Sequence, residues 1–118
     1  FEMLTDGTEE RQFLYAEDCC EALETVMYAY TDFSSDDPLH ITSFHSNSIR
    51  QIADIIQGQF NMIGKPIKIK PGIAKDSVQL DKRNEADNYI LGWWVPKTTI
   101  DEGIAKVFND MKNRRGVK

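Results

Sequence analysis

The sequence predicts one small domain of the α/β type, a mixed α+β arrangement with short strands and about four helices. Three observations carry that expectation. Apolar residues alternate at period two in short stretches such as 10–15 and 67–70. They recur at spacings of three and four in longer stretches, after Asp18, after Ser48 and after Thr99. The chain has 118 residues of which 41% are hydrophobic, enough for one modest core and too apolar for wholesale disorder.

Taken in order, residues 1–5 read as a strand that Asp6-Gly7 turns. Residues 10–15 (ERQFLY) alternate as a second strand. Asp18 is then expected to cap a helix, with Glu21 three places on completing a capping box. Cys19, Ala22, Leu23, Val26 and Met27 follow helical spacing behind it. A polar loop (31–38) leads to a short strand over Leu39 to Ser43.

Ser48 with Gln51 signals the next helix, whose apolar face is Ile49, Ile52, Ala53, Ile56 and Phe60. Gly64 and Pro66 interrupt the chain, and residues 67–70 (IKIK) alternate like a half-exposed strand. A further short strand is expected at Ser77 to Leu80, and a short helix from about Asn84 to Leu91 that ends at Gly92. Thr99 with Glu102 opens the last helix, which carries Ile100, Ile104, Val107, Phe108 and Met111 on one side.

Charge and cysteine usage exclude several function classes. Lys and Arg number 14 against 19 Asp and Glu, a net charge of -5. That balance opposes sequence-independent nucleic-acid binding, which needs a positive field, but allows a local cationic spot for one phosphate group. Cys19 and Cys20 are adjacent and have no third cysteine to pair with. Reduced thiols and a cytoplasmic location are the expectation. No apolar run is long enough to span a membrane, so no membrane partner is expected. The chain opens on Phe1 within an apolar, strand-like run. That start fits a chain cut inside a larger protein.

Signatures of autonomous catalysis are absent from the sequence. The seven glycines are too scattered for a dinucleotide fingerprint or a phosphate-cradling loop. His40 and His45 stand five apart, a spacing that shares neither a helix face nor a strand face, so no metal site is expected. Cys19 and Cys20 read as small hydrophobes on an apolar helix face.

Three segments, in order, resemble the NAD-dependent epimerase/dehydratase family of extended short-chain dehydrogenases. The first is DGTEERQFLYAEDCCEAL (6–23), with Gly7, Arg11, Phe13, Tyr15, Ala16, Glu17, Asp18 and Ala22 at the matching places. The second is LHITSFHSNSIRQIADII (39–56), similar to the strand, loop and helix that follow. The third is ILGWWVPKTTIDEGI (90–104), similar to that family's Leu-Gly-Trp, Pro, Leu/Ile-x-Glu-Gly ending. The opening FEM-x-x-DG further resembles GDP-mannose 3,5-epimerases.

The resemblance implies that residues 1–118 are a C-terminal substrate-binding domain lacking the Rossmann domain. That missing domain would carry the NAD(P) glycines and the catalytic Tyr-x-x-x-Lys. None of Tyr15, Tyr28, Tyr30 and Tyr89 has a lysine four places later. No catalytic residue and no cofactor are therefore expected within this chain, and the chain alone should be inactive. Its partners would be a nucleotide-sugar and its own Rossmann domain, and it could self-associate through the apolar surface left exposed. The alternative is a stand-alone, non-catalytic α/β binding or interaction module.

Four residues are expected at the substrate. The resemblance places Arg11 on the pyrophosphate, where a planar, permanently charged guanidinium suits phosphate oxygens; spacing alone would make it a surface arginine paired with Glu9 or Glu10. A second family arginine normally stands three places before an aspartate. Here Asp76 matches the aspartate, but Ile73 occupies the arginine position. Lys75 is a substitute charge, with Lys82 or Arg83 as alternatives. Leu4 falls where relatives often place an aromatic that packs on the base, with core packing as its other reading. Phe13 and Tyr15 read as core. Of Trp93 and Trp94, one is expected to fill the core and the other to cover a surface patch.

Overall fold

The computed structural model describes residues 1–76 and 85–116. The strand expected at 77–80, the first residue of the helix expected from Asn84, and Lys82 and Arg83 lie outside the described residues. The fold is a small mixed α+β unit. In chain order it comprises β1 (Glu10–Gln12), α1 (Ala16–Tyr28), β2 (Ser46–Ser48), α2 (Ile49–Met62) and α3 (Ile100–Arg114). Single 3-10 turns occur at Tyr30–Asp32 and Tyr89–Gly92. β1 and β2 pair antiparallel, with Glu10 opposite Ser48, Arg11 opposite Asn47 and Gln12 opposite Ser46.

The helices begin where local chemistry places them, with one exception. The Ser48 hydroxyl accepts from the Gln51 N–H at 3.1 Å, and the Gln51 side chain accepts from the Ser48 N–H at 2.8 Å. This reciprocal box satisfies two backbone donors that the first turn of α2 would otherwise leave open. Thr99 likewise accepts from the Glu102 N–H at 3.3 Å and opens α3. The exception is α1. It begins after Tyr15, whose side chain makes no capping bond, so Asp18 lies inside the first turn instead of capping it. Asp18 is 5% exposed and bonds to chain far away instead.

The strands depart further from expectation. Pairing over 10–15 stops at Gln12, and Leu39 to Ser43 forms no strand. Leu39 and Ile41 pack against the core, and the chain enters the ladder only at Ser46. Between them Phe44 adopts φ 60°, a strained backbone for a bulky side chain, and this breaks the extended run. The segments 1–5 and 67–70 make one parallel bridge, Glu2 to Lys70, and no regular strand. The expected alternation does hold there: Ile67 and Ile69 are half-buried while Lys68 and Lys70 are exposed. The short helix expected to end at Gly92 is the 3-10 turn Tyr89–Gly92.

The buried core is small. Ala22, Ile90 and Trp94 form it, with Leu14, Val26, Leu39, Ile41 and Phe44 packed around them. Trp94 fills the core, while Trp93 is 37% exposed and stacks near Phe33 (centroids 4.5 Å apart) and Tyr89 (5.1 Å). The molecule measures 50 × 38 × 16 Å, with a radius of gyration of 17.3 Å. A compact domain of this length would have a radius near ~13.5 Å. The molecule is thus more extended than a compact domain of its length.

Candidate substrate-binding site

The site is organised by the first nine residues, which lie between two other segments. On one side the Lys70 N–H donates to the Phe1 carbonyl (2.9 Å) and the Met3 N–H to the Lys70 carbonyl (2.9 Å). Further along, Gly72 donates to Thr5 (2.9 Å) and Asp6 to Ala74 (2.8 Å). On the other side the first turn of α2 donates back: Ile49 to the Glu9 carbonyl (3.0 Å) and Arg50 to the Gly7 carbonyl (2.9 Å). Gly72 permits the close approach, because a Cβ there would sit 2.7 Å, 2.9 Å and 3.0 Å from the carbonyl oxygens of Met3, Leu4 and Thr5. Gly7 is buried with φ +78°, a conformation glycine adopts without penalty.

This framework brings two of the sequence-predicted residues, Arg11 and Asp76, into contact. Arg11 lies in β1 directly opposite Asn47, and Asp76 follows the segment that pairs with residues 1–6. The Arg11 Nη2 donates to Asp76 Oδ2 at 2.5 Å, and its Nη1 donates to the Glu10 carbonyl at 2.8 Å. Asp76, 65 positions away, is thus a carboxylate partner of Arg11 that local reading, which offered Glu9 or Glu10, did not name. Lys75 is exposed, and its charge acts on Asp6. Hydrogen bonds from the Thr8 hydroxyl and N–H hold the Asp6 carboxyl below its ordinary range, with Lys75 as a further cause. Leu4 is 94% exposed, which removes core packing as its role.

An apolar groove of about 1240 Å³ opens past the end of β1. Asn47, the cross-strand neighbour of Arg11, and Phe13, two residues along from it, both line the groove. Directly opposed residues of an antiparallel pair share one face of the ribbon. Phe13 and Tyr15 are half-buried wall residues, not core. Ile52, Ile56 and Phe60 of α2 face Ile104 and Phe108 of α3 across it. The two helices touch where Phe60 meets Phe108 edge to face, with centroids 5.0 Å apart. Val95, Val107 and Met111 line the groove at 57%, 50% and 51% exposure. Large apolar side chains left this open on one face mark a surface built to be covered.

The remaining candidates lie elsewhere or take other roles. His40 Nδ1 accepts from the Asp87 N–H at 2.7 Å, and His45 is exposed at the groove. Cys19 is half-buried but Cys20 is exposed, so the second thiol is not the buried hydrophobe its neighbour's spacing suggested. Asn47 was missed by sequence reading. Only the strand register, which no local pattern marks, puts it opposite Arg11.

Among the described residues, no glycine-rich turn feeds an α-helix. Such a cofactor needs a glycine-rich turn feeding a helix N-terminus, so that backbone can approach its pyrophosphate. Here Phe13-Leu14-Tyr15, Ser46-Asn47-Ser48 and Lys97-Thr98-Thr99 precede the three α-helices, and none contains glycine.

Among the described residues, fold and site define a small α+β domain with an Arg11–Asp76 ion pair and an open apolar groove. The chain is 28% identical over 106 residues to the GDP-L-fucose synthase of Sinorhizobium fredii (strain NBRC 101917 / NGR234), covering 86% of this chain and 31% of that protein. That similarity supports the broad NAD-dependent epimerase/reductase relation that the three motifs resemble. The solved structure of a protein named DdhaC superposes with a TM-score of 0.72 at 18% identity, over 99% of this chain and 33% of that one, and shows the same fold. No family model matches the chain. The chain thus spans about a third of the length of each of these two proteins.

Proposed function

We propose that this chain is the nucleotide-sugar-binding part of an NAD(P)-dependent epimerase, dehydratase or reductase. NAD(P) and the catalytic Tyr-x-x-x-Lys would lie on a Rossmann domain that closes over the apolar groove. The observation that carries the reading is Arg11: a half-exposed guanidinium, 43% accessible, on the strand whose cross-strand residue Asn47 lines that groove. A planar, permanently charged side chain this exposed suits phosphate oxygens.

In this reading Arg11 takes the diphosphate, and Lys75 adds charge nearby without the bidentate geometry of an arginine. The exposed side chain of Leu4 offers an apolar surface to the base. Asp76 fixes the geometry around Arg11. The domain positions the sugar nucleotide, and fixing a reactant in place is itself a large part of a rate enhancement. Two features favour a guanosine diphosphate sugar as the first ligand to test: the matched relative is a GDP-L-fucose synthase, and the opening FEM-x-x-DG resembles GDP-mannose 3,5-epimerases.

The test is made in the whole protein, with GDP-sugars compared against other nucleotide-sugars. Arg11→Ala is expected to raise KM at least about tenfold, the scale of one charged contact. An unchanged KM would remove the phosphate role. The 118-residue chain alone is expected to turn over no nucleotide-sugar and to bind NAD(P) weakly. Sequencing upstream for Gly-x-x-Gly-x-x-Gly and Tyr-x-x-x-Lys separates this reading from a stand-alone module.

A further inference from the structure

Arg11 and Asp76 reach the site from different parts of the chain, and each resembles a ligand contact in its own right. In the structure they are bonded to each other at 2.5 Å. We propose that Asp76 is an internal competitor for the anion subsite: its carboxylate holds the Arg11 guanidinium until a diphosphate displaces it. The proposal deepens the reading above and rests on Arg11 being the phosphate contact.

Three observations point this way. First, the partners are unequally exposed: the Asp76 side chain is 18% exposed and that of Arg11 43%. The long arginine side chain is the one with more open space around it. Second, Arg11 also donates to the carbonyl of Glu10, its own neighbour in β1, so the guanidinium is folded back along its strand. A diphosphate must draw it out of that position. Third, a carboxylate and a diphosphate carry the same sign. Both cannot sit against one guanidinium without mutual repulsion, so binding the second weakens the hold of the first. Exposed Lys75, next to Asp76, supplies positive field that draws an anion toward the pair.

The consequence is a site whose affinity is set by an exchange of anions. The wild-type protein binds a diphosphate more weakly than Arg11 alone would allow, and releases it more readily. Asp76 acts through Arg11, so it is a positioning residue.

The experiment is a titration of the whole protein with inorganic pyrophosphate, which carries the shared diphosphate without any base. Calorimetry follows wild type, Asp76→Asn, Arg11→Ala and the double variant. Asp76→Asn is expected to tighten pyrophosphate binding about three- to tenfold. The same change made on Arg11→Ala is expected to do nothing, because the competition has lost its object. Weaker or unchanged binding in Asp76→Asn overturns the competitor role, and an intact loss in Arg11→Ala then leaves the phosphate reading standing. If Arg11→Ala binds as wild type does, both ideas fall. Asp76→Ser serves in the same cycle should the asparagine variant fail to fold, with thermal melts confirming the folded state of each protein used.

Discussion

Asp18, in the first turn of α1, accepts hydrogen bonds from the backbone N–H groups of Lys97 (3.1 Å) and Thr98 (2.8 Å) and from the Thr98 hydroxyl (3.3 Å). One buried carboxylate thus fastens the start of α1 to the segment that leads into α3. Its negative charge also lies at the positive end of the α1 dipole.

Asp18→Ala is expected to cost about 2–4 kcal/mol, because it removes a charged acceptor and strands two backbone donors. Asp18→Asn keeps one carbonyl oxygen and is expected to cost less. Urea unfolding of both variants checks the order; equal midpoints for wild type and Asp18→Ala would refute the tie.

Gly72 and Gly58 are expected to respond to alanine with opposite signs. A Cβ on Gly72 would lie 2.7 Å from the Met3 carbonyl oxygen, with backbone on every side. Gly72→Ala should force the first six residues away from their partners and cost about 1–3 kcal/mol. Gly58 stands inside α2 with nothing within 4 Å of the added carbon. Gly58→Ala should gain about 0.5–1 kcal/mol from helix propensity. Thermal melting reads both signs in one experiment.

The two capped helices provide a graded comparison. Ser48→Ala breaks a reciprocal box and Thr99→Ala a single bond. Each should cost about 0.5–2 kcal/mol, the serine change more. A larger loss for Thr99→Ala would contradict the bonding seen here.

Two exposed groups give stability a defined pH dependence. Hydrogen bonds from Thr8 lower the pKa of Asp6 below its ordinary 3.8. Its contribution is present above 3.8 and lost as pH falls through the lowered value. The hydrogen bond and charge of Glu21, whose carboxylate lies 2.8 Å away, raise Lys97 above its ordinary 10.5. That contribution is complete below 10.5 and lost as pH rises through the raised value. Asp6→Asn should flatten only the acid limb of a stability profile and Lys97→Met only the alkaline limb. Crossed or absent effects would show that these contacts do not form in solution.

The open groove should make the 118-residue chain self-associate when studied alone. Val107→Lys combined with Met111→Lys places two charges on wall positions that are about half exposed, so the fold should tolerate both. Sedimentation at increasing concentration is expected to show oligomers for the original chain and monomer for the double variant. A strictly monomeric original would argue against an adhesive face.

Helices α2 and α3 were legible because their signals are local. Ser48 with Gln51 and Thr99 with Glu102 lie within one turn, and the apolar spacing after each marks the face that lines the groove. Asp18 with Glu21 carries the same local pattern as a capping box. It took another role because two unsatisfied donors from Lys97 and Thr98 reach its carboxylate in the fold. The strands were least legible. Three-residue strands carry almost no periodicity, and Leu39 and Ile41 went to the core rather than to a ladder.

The sequence by itself determined the mixed class and the starts of α2 and α3, since each depends on residues close together in the chain; Arg11 and Asp76 became separate candidates through the resemblance. Only the tertiary structure decided that Asp76 faces Arg11, that Asn47 stands opposite it, and that a groove opens between α2 and α3. The first two relationships join residues 65 and 36 positions apart. Contacts at that range are chosen by packing and by the satisfaction of buried polar groups, which no short window of residues records.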